Sequence, residues 1–141
     1  MAAFLDTNIL LYAFVGDVNG STSKPAMADT LITRLITENA LIVSAQVLSE
    51  FCANAMRKGN PPLTLQQTSR LVAKIAPHTV IPIDTSLVQL ALHRVQQSQI
   101  NYWDALIVEA AIRSGATTLY TEDMQHGMRY GSLQLINPFA S

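Results

Sequence analysis

Four carboxylates, Asp6, Glu50, Asp104 and Asp123, stand at or just past the ends of apolar runs, in a chain where only 13% of residues are charged. In a parallel α/β sheet every strand finishes at the same edge. Acids that trail separate strands, or open the helices that follow them, can therefore converge on one point. Four converging carboxylates repel one another unless a cation holds them. Hard divalent ions such as Mg²⁺ or Mn²⁺ take oxygen ligands, and Mg²⁺ needs only a few carboxylates beside its waters, so this set of acids suits them. Zinc fits poorly. His78, His93 and His126 fall in unrelated segments, and Cys52 has no partner cysteine, so neither a zinc spacing nor a histidine acid/base pair is offered. A phosphate-binding glycine loop, a dinucleotide fingerprint and a serine-nucleophile motif are also missing.

Each acid has a plainer reading. Asp6, between Phe4-Leu5 and Thr7-Asn8, is well placed as a helix N-cap or Asx turn. Asp104, third after Asn101, complements a helix N-terminus and can close a capping box. Glu50, two turns into a helix among Val47, Leu48 and Phe51, could be the solvated flank of an apolar face. Asp123 could be a polar turn after a strand. The joint pattern shifts the balance, because Asp17, Asp29, Glu38 and Asp84 do not share it.

The elements that must position these acids alternate strand and helix, without internal repeat or low-complexity segment. Strands are expected at Ala2 to Leu5, Leu41 to Val43, Val80 to Ile83, Thr117 to Tyr120 and Leu133 to Ile136. Helices are expected at Ile9 to Phe14, Ala26 to Glu38, Ala45 to Lys58, Leu65 to Ala76, Ser86 to Gln97 and Asn101 to Arg113. In the second of these, Met27, Leu31, Leu35 and Ile36 share a face. Gly16 to Ser23 reads as a loop, Pro25 suits a first helical turn, Ser44 and Asp84 or Thr85 are caps, and Gly59-Asn60-Pro61-Pro62 is a stop. The expected fold is α/β, three layers with a central, mostly parallel five-stranded sheet and right-handed crossovers.

Composition sets the wider frame. With 141 residues, 49% of them hydrophobic, the chain is expected to be a single domain over residues 1–141. The longest apolar candidate, Ile9 to Val15, is too short for a membrane span, and the N-terminus lacks the basic region of a signal peptide. Cys52 lies in an apolar helical pattern and reads as an inert thiol. A cytoplasmic protein without membrane attachment is expected. Net charge is −1, yet outside the four acids six carboxylates face nine Lys and Arg, so a polyanion is a tolerable partner once cations neutralise the cluster. Arg57, Lys58, Arg113 and Arg129 lie nearest the motifs and are candidate phosphate grips, or equally solubilising charges.

Four segments together resemble the successive acidic motifs of PIN-domain ribonucleases. They are Phe4-Leu5-Asp6-Thr7-Asn8, Ser44 to Phe51 around Glu50, Tyr102-Trp103-Asp104-Ala105-Leu106-Ile107, and Leu119-Tyr120-Thr121-Glu122-Asp123-Met124. The ending Asn137-Pro138-Phe139 fits too, and the size is similar to VapC-type toxins of toxin–antitoxin modules. The resemblance implies a PIN-like fold in which Asp6, Glu50, Asp104 and Asp123 ligate Mg²⁺ or Mn²⁺ for endonucleolytic RNA cleavage. It implies supporting roles for Thr7, Asn8 and Thr121, a homodimer, and a small antitoxin that blocks the site. Within the last motif either Glu122 or Asp123 could face the metal, with Asp123 favoured. His126-Gly127 resembles a variant loop and receives no catalytic task.

Two other classes are weighed. A catalytically inactive PIN-like scaffold for RNA or protein would retain the fold without metal-dependent cleavage, against which stands the retention of all four acids. An aspartate-based, Mg-dependent phosphatase would resemble Asp-x-Asp after the first strand, whereas position 8 is Asn and no lysine follows a late strand.

Overall fold

The computed structural model describes residues 2–17, 20 and 23–140. The chain runs β1 (Ala3–Leu5), α1 (Thr7–Phe14), α2 (Ser23–Thr37), β2 (Leu41–Ser44), α3 (Ala45–Ala55), α4 (Leu65–Ile75), β3 (Thr79–Ile81), α5 (Thr85–Ser98), α6 (Tyr102–Arg113), β4 (Thr118–Tyr120), β5 (Arg129–Tyr130) and β6 (Leu133–Ile136). All residues of β1 and β2 are buried, as strands must be when helices cover both faces of a parallel sheet. The sheet order is β3-β2-β1-β4-β6-β5, and every pairing is parallel except β5 with β6.

That order contains a reversal. The chain lays β2 and then β3 on one side of β1, and later places β4 and β6 on the other. Ligands of open α/β sheets bind in the crevice at the carboxyl ends of strands flanking such a reversal. Here those strands are β1 and β4, in register Ala3 to Thr118, Phe4 to Leu119 and Leu5 to Tyr120. The next residues, Asp6 and Thr121, therefore face each other across the crevice.

Each helix that carries a candidate acid has a defined start. Ser44 accepts from the Val47 amide at 3.2 Å to open α3. Asn101 opens α6 by accepting from the Asp104 amide at 2.9 Å. α6 is pinned to α5 by two ion pairs, Arg94 to Glu109 at 2.8 Å and Arg113 to Asp84 at 3.0 Å. Glu109 is buried, and the Arg94 guanidinium also stacks on the Tyr130 ring of β5 at 5.2 Å. Among the described residues no helix is long and apolar enough to cross a membrane.

Several sequence expectations are corrected. Among the described residues the sheet has six strands, not five: Arg129–Tyr130 forms a two-residue antiparallel edge, too short to show a strand period, joined to β6 by a turn in which Gly131 has φ +63. β3 stops at Ile81 because Pro82 cannot donate to a ladder. α3 ends at Ala55, and the chain to Lys58 turns back, with the Lys58 amide on the Asn54 carbonyl at 2.7 Å. Met27 does not share the buried face of α2, which is made by Ala28, Leu31, Ile32 and Leu35; it is 43% exposed. Of the expected loop from Gly16, residues 18, 19, 21 and 22 lie outside the described residues, and Ser23 already belongs to α2.

The pairing of α5 with α6 generates a stability prediction. Arg94→Met leaves Glu109 buried without its counter-charge and should lower the unfolding free energy by about 2–3 kcal/mol, somewhat less than for a fully buried pair. In urea melts the double variant Arg94→Met/Glu109→Leu should be more stable than Arg94→Met alone. A double variant as unstable as the sum of the two singles would show that the pair is not coupled.

Candidate functional site

Asp6 sits at the crevice floor. Its backbone amide donates to the Tyr120 carbonyl at 3.0 Å, continuing the β1–β4 ladder past its last pair. Its Oδ1 accepts from the Thr7 amide at 2.7 Å, capping α1, and its Oδ2 accepts from the Thr121 hydroxyl at 2.7 Å. The N-cap reading of Asp6 is thus realised, and it does not exhaust the residue. Only 6% of Asp6 is exposed. Burial pushes its carboxyl up to about 6, with the like charges of Asp123 and Glu50 adding, against the opposing hydrogen bonds from Thr121 and Thr7.

The other three acids approach from separate elements. Glu50, half-buried on α3, accepts from the Thr7 hydroxyl at 3.3 Å. Asp123, in the turn after β4, accepts from the Asn8 amide group at 2.7 Å, while its own backbone amide donates to Thr121 Oγ1 at 3.3 Å. Burial raises its carboxyl pKa, and Glu122 and Asp104 raise it further. Asp104 accepts from the Asn101 side chain at 2.8 Å, and burial raises its carboxyl in spite of that bond. Glu50 and Asp123 thus bear electrostatically on Asp6, and Asp104 bears on Asp123. The side chains of Thr7, Asn8 and Thr121 each donate to one of these acids. Among the described residues no three His, Cys, Asp or Glu side chains already stand together as a grip for one ion. The fit to Mg²⁺ or Mn²⁺ therefore rests on donor chemistry: hard oxygens, held by hydroxyls and amides, with the Asp6 and Asp123 carboxyls raised by burial and by neighbouring acids.

Glu122 and Asp123 part company. The Glu122 carboxylate receives the Lys24 ammonium at 2.5 Å and the Tyr12 hydroxyl at 2.6 Å. Lys24 lies over the rings of Tyr12 and Phe139, which meet edge to face with centroids 5.1 Å apart. Burial and the Glu122 carboxylate together push the Tyr12 phenol up to about 12. Glu122 is thereby engaged by α1 and α2, whereas Asp123 is turned to Asn8.

Sequence reasoning missed Tyr12 and Lys24, whose partners lie about a hundred positions away along the chain. It also missed Gln46, one helical turn before Glu50. Gln46 is buried, its Nε2 donates to the Trp103 carbonyl at 3.3 Å, and its Oε1 has no partner among the described residues. That bond ties the start of α3 to the start of α6, hence the elements bearing Glu50 and Asp104. His126 accepts from the Asn137 amide at 2.9 Å and braces the C-terminal segment. Cys52 is half-buried and unpaired by any disulfide, and burial pushes its thiol up, as an inert thiol requires.

The PIN domain family matches residues 3–127 of the sequence. No curated protein matches the chain. Among solved structures it is similar to a toxin–antitoxin complex from Klebsiella pneumoniae, at 17% identity and a TM-score of 0.69, over 98% of each chain. It is similar to VapBC2 from Rickettsia felis bound to a promoter DNA fragment, at 23% identity and a TM-score of 0.65, over 96% of this chain and 97% of that one. A third is VapC20 of Mycobacterium tuberculosis, a sarcin-ricin loop cleaving toxin, at 18% identity and a TM-score of 0.59, over 86% and 90%. At these identities the likeness concerns the fold.

The buried Asp6 sets a pH dependence with a definite sign. Between about pH 4 and pH 6 the folded protein keeps a proton that the unfolded chain has released, so stability falls as pH rises through that window. A rise from 3.8 to about 6 corresponds to on the order of 3 kcal/mol, absent below the lower value and fully present above the upper one. Without divalent ions, Asp6→Asn should therefore melt higher than the unmodified protein at pH 7.5 and lose that advantage near pH 4. Equal melting temperatures at both pH values would contradict the account of Asp6.

Proposed function

The chain belongs to the PIN-domain family, and from that premise we propose that it is a metal-dependent endoribonuclease, hydrolysing RNA phosphodiester bonds as the toxin of a type II toxin–antitoxin pair. What supports the reading is the electrostatic coupling of Asp6 to Glu50 and Asp123 and of Asp123 to Asp104, from four separate parts of the chain, with Thr7, Asn8 and Thr121 donating to three of them. The similar fold of a toxin–antitoxin complex, of VapBC2 and of a sarcin-ricin loop cleaving toxin supports an RNA substrate and a small antitoxin as partner. A homodimer and a cytoplasmic setting complete the proposal.

Asp6, Glu50, Asp104 and Asp123 would hold Mg²⁺ or Mn²⁺. Such a cation, once bound, lowers the pKa of water and offsets negative charge at the scissile phosphate. The protein's own groups supply position. Thr121 fixes one oxygen of Asp6 and, through the Asp123 amide, the turn that presents Asp123. Asn8 and Asn101 orient Asp123 and Asp104 by single amide hydrogen bonds. A carboxylate of the set accepts the proton of the attacking water, and in-line displacement then needs no protein nucleophile.

The decisive experiment is cleavage of structured RNA by purified protein. Mg²⁺ or Mn²⁺ should be required, and Asp6→Asn, still folded by circular dichroism, should lose at least about a hundredfold in rate. A folded Asp6→Asn protein as active as the parent would sink the mechanism, and an inactive parent would favour the scaffold. A second measurement separates the two adjacent acids. Millimolar Mg²⁺ or Mn²⁺ should raise the melting temperature by mass action. Asp123→Asn should blunt that rise while Glu122→Gln leaves it intact, and the reverse ranking would exchange their roles.

A further inference from the structure

Beside the carboxylates a groove of about 140 Å³ runs along the outer face of α1, lined by Asn8, Leu11, Tyr12 and Val15, with Asp17 and Lys58 on its walls. Positions 8, 11, 12 and 15 recur at helical spacing, so one stripe of α1 forms the floor, about 10 Å from Asn8 to Val15. The near end is continuous with the site, since Asn8 also holds Asp123. The far end carries a cation. Lys58 makes no ion pair among the described residues, and its place is set by packing rather than by chance. Its amide is fixed on Asn54, and the adjoining Gly59, at φ +106, lies so close to α1 that a Cβ there would meet Val15 Cγ1 at 2.8 Å.

The other three basic residues near the motifs are engaged elsewhere. Arg57 donates to Asn54 at 2.8 Å, Arg113 is held by Asp84 and Ser86, and Arg129 reaches Gln134 at the sheet edge. We infer that this groove is a substrate subsite, taking one unpaired nucleotide next to the scissile phosphate, with its phosphate on Lys58 and its base against Tyr12, Leu11 and Val15. The inference rests on the ribonuclease reading. Single-stranded RNA suits the groove because an unstacked base offers an apolar face and a backbone anion together, and these need an aromatic or aliphatic floor beside a cation. A base in a duplex is stacked on its neighbours and cannot lie on that floor. Asp17 repels a phosphate from its own wall, which leaves the Lys58 side for the anion.

The test uses Lys58→Gln and Lys58→Arg in the full chain. A contact away from the reacting atoms contributes uniform binding, so Lys58→Gln should raise KM about 5- to 10-fold on a single-stranded oligoribonucleotide with kcat unchanged. Lys58→Arg should restore KM. In the non-cutting Asp6→Asn background, anisotropy titrations of the same labelled oligoribonucleotide should show a salt slope smaller by about 0.7 when Lys58 is replaced by Gln. RNA cutting with KM and slope unmoved by Lys58→Gln would overturn the subsite and leave the ribonuclease reading standing. A fall in kcat instead of a rise in KM would also overturn it, placing Lys58 at the reacting centre. A parent protein that neither binds nor cuts RNA would remove the ribonuclease reading, and this inference with it.

Discussion

The structure turns on the pairing of β1 with β4. Those two strands are distant in sequence and adjacent in the sheet, and their register decides what meets at the crevice. Because Leu5 stands opposite Tyr120, Asp6 emerges opposite Thr121, and one hydroxyl reaches the Asp6 carboxylate while accepting from the Asp123 amide. A slip of one residue would exchange the faces of a strand, putting Phe4 where its smaller neighbour Ala3 packs and breaking this contact. The burial of Phe4, Leu5 and Leu119 is therefore also what specifies the position of the acids. Core and site are two sides of the same register.

Around that pairing the helices act as brackets. α1 begins directly on Asp6 and lends Thr7 to Glu50 and Asn8 to Asp123 within its first two positions. α3 and α6 bring Glu50 and Asp104 and are tied to each other by Gln46 and the Trp103 carbonyl. α5 holds α6 from behind through two ion pairs on successive parts of the helical hairpin. None of these contacts would matter greatly alone. Together they hold like charges close, and the carboxyl of Asp6 is raised first by burial and further by the charges of Asp123 and Glu50.

Much of this was legible in the sequence, for identifiable reasons. The parallel strands are short runs of buried apolar residues, and the caps at Ser44, Asp84 and Asn101 are short-range signals that the structure realises within three positions. The rule that parallel strands share an edge led to the expectation that the acids converge; among the described residues they are coupled in pairs, with no three standing together as a grip for one ion. What escaped was long-range or weak. Two residues of β5 cannot display a period. Met27 lay on the wrong side of a helix face that neighbouring apolar residues define equally well. Glu122 and Asp123 are adjacent acids, and nothing local distinguishes them. Their difference is made by Tyr12 and Lys24, which no spacing rule connects to position 122. The four candidate phosphate grips were equally undecidable, since each depends on which partner the fold brings within reach.

The Lys24 and Glu122 pair has a meaning beyond orientation. With Glu122 counted, five acids gather at this end of the sheet, and one of them is matched by an ammonium lodged against two aromatic rings. The field that an incoming polyanion meets is therefore weaker than the acid inventory suggests, because one negative charge is screened within the protein instead of by solvent ions. Lys24 acts as a resident counter-ion, one that dilution cannot wash away.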